Sequence, residues 1–246
     1  MKTIINKLFL KALDTYWINK LPLFISFPRT GSEWLNCAME LYFNRPRLRK
    51  NRVTLMPANR TDWMWFHDHD MELKIVHKKV MYLYRDPVQT IYSLIAYNLK
   101  NEVQSFFPLT INNIREISED TIVAYGKCYR DNLIKWILSE KKAKTIISYE
   151  RMKKSPEIEF QKVCQFFNLP FDKKTMSISF NNIQREQLIK LSDKRKGGGL
   201  RKDMLAKQYE VDRKWFIQNW GNVVKQIVVT KKLDLFFNYR NPMSLT

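Results

Sequence analysis

The stretch that decides the fold lies at residues 21–34 and reads LPLFISFPRTGSEW. Its first part, Leu21 to Phe27, is a short apolar run, which is typical of a strand buried on both faces of a parallel sheet. Pro28 to Ser32 then predicts a loop, because a proline and a glycine interrupt the pattern. From Glu33 to Tyr42 the apolar residues recur at helical spacing. The sequence therefore predicts a strand, a loop and a helix in direct succession.

The same order of elements recurs further along the chain. Lys79–Tyr84 (KVMYLY) predicts a second buried strand, and Pro87 suits the first turn of a helix from Val88 to Leu99. Lys144–Tyr149 (KTIISY) predicts a third strand, and a helix follows at Pro156–Phe167. Strands that alternate with helices are typical of an α/β fold with a mostly parallel central sheet flanked by helices.

We interpret the whole chain, residues 1–246, as a single domain, because it contains no internal repeat and no linker-like segment. Residues 20–240 are expected to form its core, and residues 1–20 an N-terminal helical segment. Further helices are predicted at Ile4–Leu13, Ser118–Glu140, Asn181–Leu191 and Lys207–Phe237, whereas residues 44–70 are expected to be irregular.

The chain is strongly basic, with 43 Lys and Arg residues against 24 Asp and Glu residues and a formal net charge of +19. At 45% hydrophobic residues it is too apolar for a disordered protein, so the excess charge indicates an anionic partner. Nucleic acid, an anionic membrane, an acidic polymer and a phosphate-rich cofactor all meet that description.

The cysteines Cys37, Cys128 and Cys164 lie far apart and form no CxxC pair. This spacing predicts neither a disulfide framework nor a zinc site, and a reducing cytoplasm is the expected location. No apolar run reaches the length of about 18 residues that a membrane-spanning helix needs. The segment Ile4–Leu13 is amphipathic, which suits packing on the domain or contact with a membrane surface.

Residues 27–34, FPRTGSEW, have the composition of an anion-binding loop. A loop between a strand and a helix presents backbone N–H groups at the helix N-terminus, where an anion is stabilised. Arg29 adds a cation, Thr30 and Ser32 add hydroxyl groups, and Gly31 lets a ligand approach the backbone closely. The segment is not a Walker A loop, because GxxxxGK[ST] is absent. Taken alone, it is equally compatible with an ordinary turn.

Two further segments combine cations with a strand end or with glycines. Arg85 follows the second strand, at the edge where open α/β sheets bind ligands, and Ser93 lies eight residues later. Together they suit a phosphate, and the alternative is a salt bridge between Arg85 and Asp86. Residues 195–199, RKGGG, form either an anion-binding loop or a solvated basic turn.

These segments, in this order, resemble the motifs of the sulfotransferases that use the sulfate donor PAPS. FPRTGSEW is similar to the family's YPKSGTTW or PRSGT element, and Arg85 with Ser93 keeps the spacing of its Y-x-x-R-x-P motif. ISYERM is similar to the family's YED-M strand end, and RKGGG is similar to its RKGxxG loop, although the last glycine comes one place early. Arg29 stands where many members have Lys. The resemblance covers roughly residues 20–240 and implies the P-loop-NTPase-like sulfotransferase fold.

The resemblance implies a binding site for PAPS, whose product is PAP. It assigns the 5′-phosphosulfate to the first loop, the 3′-phosphate to the second motif and the RKG segment, and the adenine to aromatic and small residues. The implied cofactor-binding residues are Arg29, Thr30, Gly31, Ser32, Glu33, Trp34, Arg85, Ser93, Tyr149, Ser179, Phe180, Arg195, Lys196 and Gly197. For the aromatic members, core packing is the alternative role.

The resemblance also implies a histidine general base between the first loop and the second strand. Residues 65–70 read WFHDHD, and His67 matches the family context best, because an Asp follows it, with His69 as the alternative. An imidazole suits the task, since its ordinary pKa lies near neutrality. Asp68 or Asp70 is expected to orient the base. No metal is expected, because alternation along an extended segment points neighbouring side chains apart.

The sequence thus predicts transfer of a sulfuryl group from PAPS to a hydroxyl acceptor, with Arg29 and the histidine as catalytic residues. Residues 44–65 and 100–116 are expected to wall the acceptor site, and the basic, aromatic first segment suits a sugar or an acidic glycan. The partner is a small molecule or glycan rather than nucleic acid. The alternatives are a non-catalytic polyanion- or nucleotide-binding protein on this fold and a P-loop-like kinase, although the kinase needs a Lys-bearing Walker A loop.

Overall fold

Four parallel strands form a central sheet within the part of the chain that the structure describes. This computed structural model describes residues 20–48, 55–57, 60–77, 79–99, 109, 111–139, 143–183 and 207–237. The strands are β1 (Leu23–Ser26), β2 (Phe66–Asp68), β3 (Lys79–Tyr84) and β4 (Ala143–Ser148), in the spatial order β2-β1-β3-β4. The prediction of a single α/β domain with a parallel sheet is confirmed.

Helices flank the sheet. Their bounds are α1 (Ser32–Phe43), α2 (Pro87–Asn98), α3 (Glu119–Leu133), α4 (Tyr149–Lys154), α5 (Pro156–Phe167), α6 (Lys173–Asn181), α7 (Lys207–Val228) and α8 (Asp234–Phe237), with a 3₁₀ turn at Ile114–Glu116. The helices predicted at 33–42, 88–99 and 156–167 are confirmed to within one residue at each end. The predicted helix at 4–13, residues 184–191 of the helix predicted after residue 181, and the RKGGG segment lie outside the described residues.

Two local predictions are wrong. The segment 44–70, expected to be irregular, contains β2, a three-residue strand that reads FHD. Two of these residues are polar, so no apolar run marks the strand, which forms through its parallel pairing with β1. The segment predicted as one helix, 118–140, is not α-helical throughout. The α-helix α3 ends at Leu133, and a π-helical turn, Ile134–Leu138, follows it directly.

The strand side chains alternate between two apolar layers. On one face, Leu23 and Ile25 pack with residues of α2, α3 and α7. On the other face, Phe24 and Met81 pack with residues of α1, α5 and α6. Because both faces are covered, the strands that cross the core read as nearly continuous apolar runs. The polar groups of the sheet are left to its edges and strand ends.

The strand order positions a ligand site at one of these ends. After β1 the chain adds β2 on one side of it and then β3 and β4 on the other. The loop after β1 leads to α1 on one face of the sheet, and the loop after β3 leads to α2 on the opposite face. Such a divergence opens a crevice at the carboxyl ends of the two strands, where open α/β sheets bind ligands.

Candidate active site

The segments that follow β1, β3 and β4 converge at the carboxyl edge of the sheet. Arg29 and Arg85 lie in the loops after β1 and β3, and Tyr149 is the first residue of α4, directly after β4. Arg85 Nη1 donates a hydrogen bond to the backbone oxygen of Arg29 at 3.1 Å. The guanidinium carbon of Arg85 lies 4.7 Å from the centre of the Tyr149 ring, which is a cation–π contact. These contacts join the ends of β1, β3 and β4 into one site.

The loop after β1 turns sharply and leads straight into α1. Arg29 has a φ of 69° and Gly31 a φ of 93°, both in the left-handed region. The buried Thr30 hydroxyl donates to the carbonyl oxygen of Phe27 at 2.8 Å and so holds the turn. Gly31 caps α1 without a side-chain hydrogen bond. The first-turn N–H groups of α1 therefore suit an external anion.

Arg29 and Arg85 are held by different contacts. Arg29 Nε donates to the hydroxyl oxygen of buried Ser93 at 3.3 Å, and its guanidinium carbon lies 4.8 Å from the centre of the Tyr97 ring. Ser93 thus contacts Arg29, whereas the sequence pairs it with Arg85. Among the described residues, the buried Nε of Arg85 has no hydrogen-bond partner. Such an unsatisfied donor costs about 1–3 kcal/mol, and a bound anion removes that cost.

The backbone of Arg85 is clamped by Tyr129 of α3. The Tyr129 hydroxyl donates to the carbonyl oxygen of Arg85 at 2.7 Å and accepts from its N–H at 3.1 Å. Burial raises the pKa of Tyr129 well above its ordinary value, so the hydroxyl keeps its proton at physiological pH. Arg85 is therefore presented from a fixed strand end.

The aromatic residues predicted to flank the adenine form one cluster. The Trp34 ring lies 5.0 Å from the Phe180 ring and 5.9 Å from the Tyr149 ring, edge to face in both cases. All three side chains are half-buried, so each retains surface on which a base can stack. Ser179 is buried, and its hydroxyl donates to the carbonyl oxygen of Thr175 within α6 at 2.8 Å.

The two candidate bases contact the same residue, Ser26, at the end of β1. His67 Nε2 lies 3.0 Å from the Ser26 hydroxyl, and His69 Nδ1 lies 2.7 Å from the Ser26 carbonyl oxygen. A carbonyl oxygen only accepts, so Nδ1 of neutral His69 carries the proton and Nε2 carries the lone pair. The contact between His67 and a hydroxyl is compatible with either tautomer.

Asp70 orients the backbone beside His69. Its carboxylate accepts hydrogen bonds from Trp136 Nε1 at 3.0 Å, from the Ile75 N–H at 2.9 Å and from Lys135 Nζ at 2.5 Å. Lys135 and Trp136 both lie in the π-helical turn. Asn132 Nδ2 also donates to the carbonyl oxygen of His69 at 3.2 Å. The end of α3 and the turn that follows it therefore fix the peptide that carries His69.

The comparison with protein families adds one finding to this geometry. The model of the sulfotransferase domain matches the chain over residues 22–220. The chain belongs to the sulfotransferase family. The matched range contains the loop after β1, the Arg85 motif, the histidine pair and the RKGGG segment. The predicted family membership is confirmed.

Solved sulfotransferase structures are similar to this chain at low sequence identity. The mouse sulfotransferase SULT7A1 complexed with PAP is 15% identical, with a TM-score of 0.49, and the match covers 89% of this chain and 81% of that one. The sulfotransferase domain from the curacin biosynthetic pathway is 15% identical, with a TM-score of 0.43 and coverages of 82% and 98%. Retinol dehydratase in complex with androsterone and inactive cofactor PAP is 12% identical, with a TM-score of 0.44 and coverages of 87% and 84%.

Neither a curated relative, nor a metal-binding group, nor a membrane-spanning helix is found for the described part of this chain. No curated protein matches this sulfotransferase. In the described ranges, no group of three or more His, Cys, Asp and Glu side chains is arranged to hold a metal ion. Among the same residues, no helix combines the length and the apolar character needed to cross a bilayer.

Several residues of this sulfotransferase site were not predicted. Tyr97 lies four residues after Ser93 on α2, so their common helix face was readable from the spacing. Ser26, Tyr129 and Asn132 have no such signal, because they lie on β1 and α3, far along the chain from the residues that they contact. Of the predicted binding residues, Arg195, Lys196 and Gly197 lie outside the described residues.

Gly31 permits the close approach of the first loop to Tyr149. A Cβ at this position would lie 2.4 Å from Tyr149 Cε2, and the φ of 93° is unfavourable for any other residue. Gly31→Ala is therefore expected to lower the free energy of unfolding by about 2–3 kcal/mol and to weaken nucleotide binding. Urea unfolding and calorimetric titration with PAP measure the two effects.

Gly221→Ala is the matched control for this substitution. Gly221 lies within α7, and the nearest heavy atom to an added Cβ is 3.7 Å away, an ordinary contact. This variant is expected to be unchanged or stabilised by up to about 1 kcal/mol, because alanine favours helix. Equal stability of both variants would contradict the tight packing of Gly31.

Proposed function

We propose that this sulfotransferase transfers a sulfuryl group from PAPS to a hydroxyl group of a small molecule or glycan. The observation that carries the proposal is the meeting of Arg29 and Arg85 at the ends of β1 and β3. Two cationic side chains at one edge of the sheet favour a bound polyanion, because its negative charge offsets theirs. The buried Arg85 Nε, which lacks a partner among the described residues, supplies a donor for such an anion.

The chemistry of the donor set fits PAPS. Arg29 and the N–H groups at the start of α1 suit the 5′-phosphosulfate, because both favour negative charge. Arg85 and Ser93 suit the 3′-phosphate, together with Arg195, Lys196 and Gly197. The half-buried cluster of Trp34, Tyr149 and Phe180 suits the adenine. The nearby Ser179 completes the proposed set of binding residues.

We assign the role of general base to His69 rather than to His67. The hydrogen bond from Nδ1 of His69 to the Ser26 carbonyl leaves the lone pair on Nε2, as a base requires. His69 follows the last residue of β2, at the same edge of the sheet as the anion-binding loops. Nε2 of His67, by contrast, is engaged with the Ser26 hydroxyl.

Each group then has a defined task in the transfer. When bound, PAPS supplies the sulfuryl group, which passes to the acceptor oxygen as PAP is formed. Nε2 of His69 accepts the proton of the acceptor hydroxyl and so makes its oxygen nucleophilic. Arg29 and the N–H groups of α1 stabilise the negative charge that builds around the transferred group. Ser26 and Asn132 hold His69 in place, so little reorganisation is needed.

The charge of the predicted acceptor wall does not by itself select an acidic acceptor. Arg45 lies 3.5 Å and Arg60 lies 2.5 Å from Asp62, and Arg47 pairs with Glu33. Arg45 and Arg60 thus share one carboxylate, and Arg47 pairs with another. We therefore propose a hydroxyl acceptor without requiring that it be charged. No disulfide bond joins Cys37, Cys128 and Cys164, and we place the reaction in the cytoplasm, where thiols stay reduced.

Thermal unfolding with added ligands tests the proposal. PAP at about 100 times its Kd is expected to raise the Tm by about 5–10 °C, because the nucleotide binds the folded state alone. ATP at the same concentration is expected to give a much smaller shift, since it lacks the 3′-phosphate. Stabilisation by heparin but not by PAP would indicate a polyanion-binding protein, and a larger shift with ATP would indicate a kinase. Mass spectrometry of hydroxyl acceptors incubated with protein and PAPS then detects the transferred sulfuryl group.

A further inference from the structure

The buried Arg47 contacts a carboxylate, Glu33, in the first turn of α1. Arg47 is 3% exposed, and its Nη2 and Nη1 lie 2.8 and 3.5 Å from the two carboxylate oxygens of Glu33. Its Nε lies 3.4 Å from Glu40, whose side chain is fully buried. The other oxygen of Glu40 accepts a hydrogen bond from the Leu55 N–H at 3.0 Å. One guanidinium group therefore serves two carboxylates of the same helix.

Glu33 places a negative charge where the proposed ligand is itself negative. It lies in the first turn of α1, immediately after the loop that carries Arg29 and Gly31. An unpaired carboxylate there competes with a phosphate for the N–H groups of the helix and repels it. A two-point contact with the Arg47 guanidinium offsets much of that repulsion, and the same cation also faces the buried carboxylate of Glu40.

The charge of Arg47 is secure. Burial acts to lower the pKa of Arg47, but the carboxylates of Glu33 and Glu40 outweigh it and hold the pKa above its ordinary value. The guanidinium therefore stays protonated wherever the protein is folded. Glu33 therefore has a counter-charge in the free protein, which it shares with Glu40.

We propose that Arg47 is a positioning residue of the nucleotide site, which neutralises and holds Glu33 so that the start of α1 stays attractive to the phosphosulfate. This inference rests on the proposed function. Arg47 affects nucleotide affinity through its contact with Glu33 and does not touch the nucleotide itself. Removal of Arg47 should therefore be harmful only while Glu33 is charged.

Calorimetric titration with PAP tests this dependence in a matched set of variants. Arg47→Met alone would remove the cation beside the buried carboxylate of Glu40, so every member of the set carries Glu40→Gln. Adding Arg47→Met is expected to raise the Kd for PAP about tenfold near pH 8, and adding Glu33→Gln as well is expected to restore it to within about threefold.

A structural role for Arg47 alone predicts a different pattern. In that case Glu33→Gln would not restore binding, and that result overturns the inference. Glu33→Gln in the otherwise unchanged protein is a second test that does not depend on the folding of Arg47 variants. Because Glu33 contributes only its backbone N–H to the proposed site, this variant is expected to bind PAP as tightly as the unchanged protein or more tightly, and a Kd raised more than about threefold overturns the inference. If the unchanged protein fails to bind PAP, the proposed function itself is wrong.

Discussion

Replacement of His69 by asparagine is expected to lower kcat by about 100- to 10,000-fold and to leave the Kd for PAP within about twofold of its original value. Asparagine keeps an N–H group near the position of Nδ1, which can still donate to the Ser26 carbonyl oxygen. It has no basic nitrogen, so the acceptor hydroxyl keeps its proton. Steady-state kinetics with PAPS and calorimetry with PAP separate the loss of chemistry from any loss of binding.

The other histidines provide the controls. His67→Gln keeps a polar group near Nε2 for the Ser26 hydroxyl and is expected to lower kcat less than about tenfold. His77→Asn keeps an acceptor for the Lys79 N–H, which His77 Nδ1 accepts at 3.1 Å, and is expected to leave kcat unchanged. A larger loss for His67→Gln than for His69→Asn would move the base to His67. Full activity of both variants would contradict a histidine base.

Replacement of Arg85 by methionine is expected to raise the Kd for PAP about 100-fold or more, because each lost charge-assisted hydrogen bond is worth about 1.5–3 kcal/mol. Arg85 joins the loop after β1 to Tyr149, and its buried Nε is directed to no partner among the described residues. Methionine preserves much of the apolar stem against Tyr149 and removes every donor. Calorimetric titration with PAP measures the change.

Arg130 offers a matched control on α3. Its side chain is partly exposed and pairs with the adjacent Asp131, away from the predicted motifs. Arg130→Met is expected to leave the Kd for PAP unchanged. Arg85→Lys is expected to give an intermediate loss, because lysine keeps the charge but not the planar fork of donors. Binding of PAP by Arg85→Met as tightly as by the unchanged protein would remove Arg85 from the nucleotide site.

The fold was largely predictable, because strands that are buried on both faces of a parallel sheet consist of local apolar runs. Three such runs predicted β1, β3 and β4 to within two residues at each end. β2 was missed, because a short FHD segment becomes a strand only beside β1. α6 was also missed, although Asp172 is a readable N-cap. Its carboxylate accepts the Thr175 N–H at 2.6 Å, and hydrogen bonds from Thr175 lower the pKa of Asp172.

The site was predictable only in part, because its motifs name residues without their partners. The spacing of Arg85 and Ser93 suggested one phosphate clamp, whereas the Ser93 hydroxyl contacts Arg29 in the structure. The HDHD run left two possible bases. The contacts of each ring with Ser26, from a strand more than forty positions earlier, support our proposal that His69 is the base. Such long-range contacts leave no periodic trace in a single sequence.

The amino-acid sequence by itself determined the α/β fold, the family and the positions of Arg29, Gly31 and Arg85 at strand ends. These are properties of neighbouring residues, namely apolar runs, turn residues and fixed intervals. Only the tertiary structure shows which nitrogen of His69 donates to the Ser26 carbonyl oxygen and which cation pairs with Glu33. The first depends on the Ser26 carbonyl of β1, and the second on the buried guanidinium of Arg47, beyond the end of α1. The strength of a buried hydrogen bond or ion pair depends on partners that are distant in the sequence.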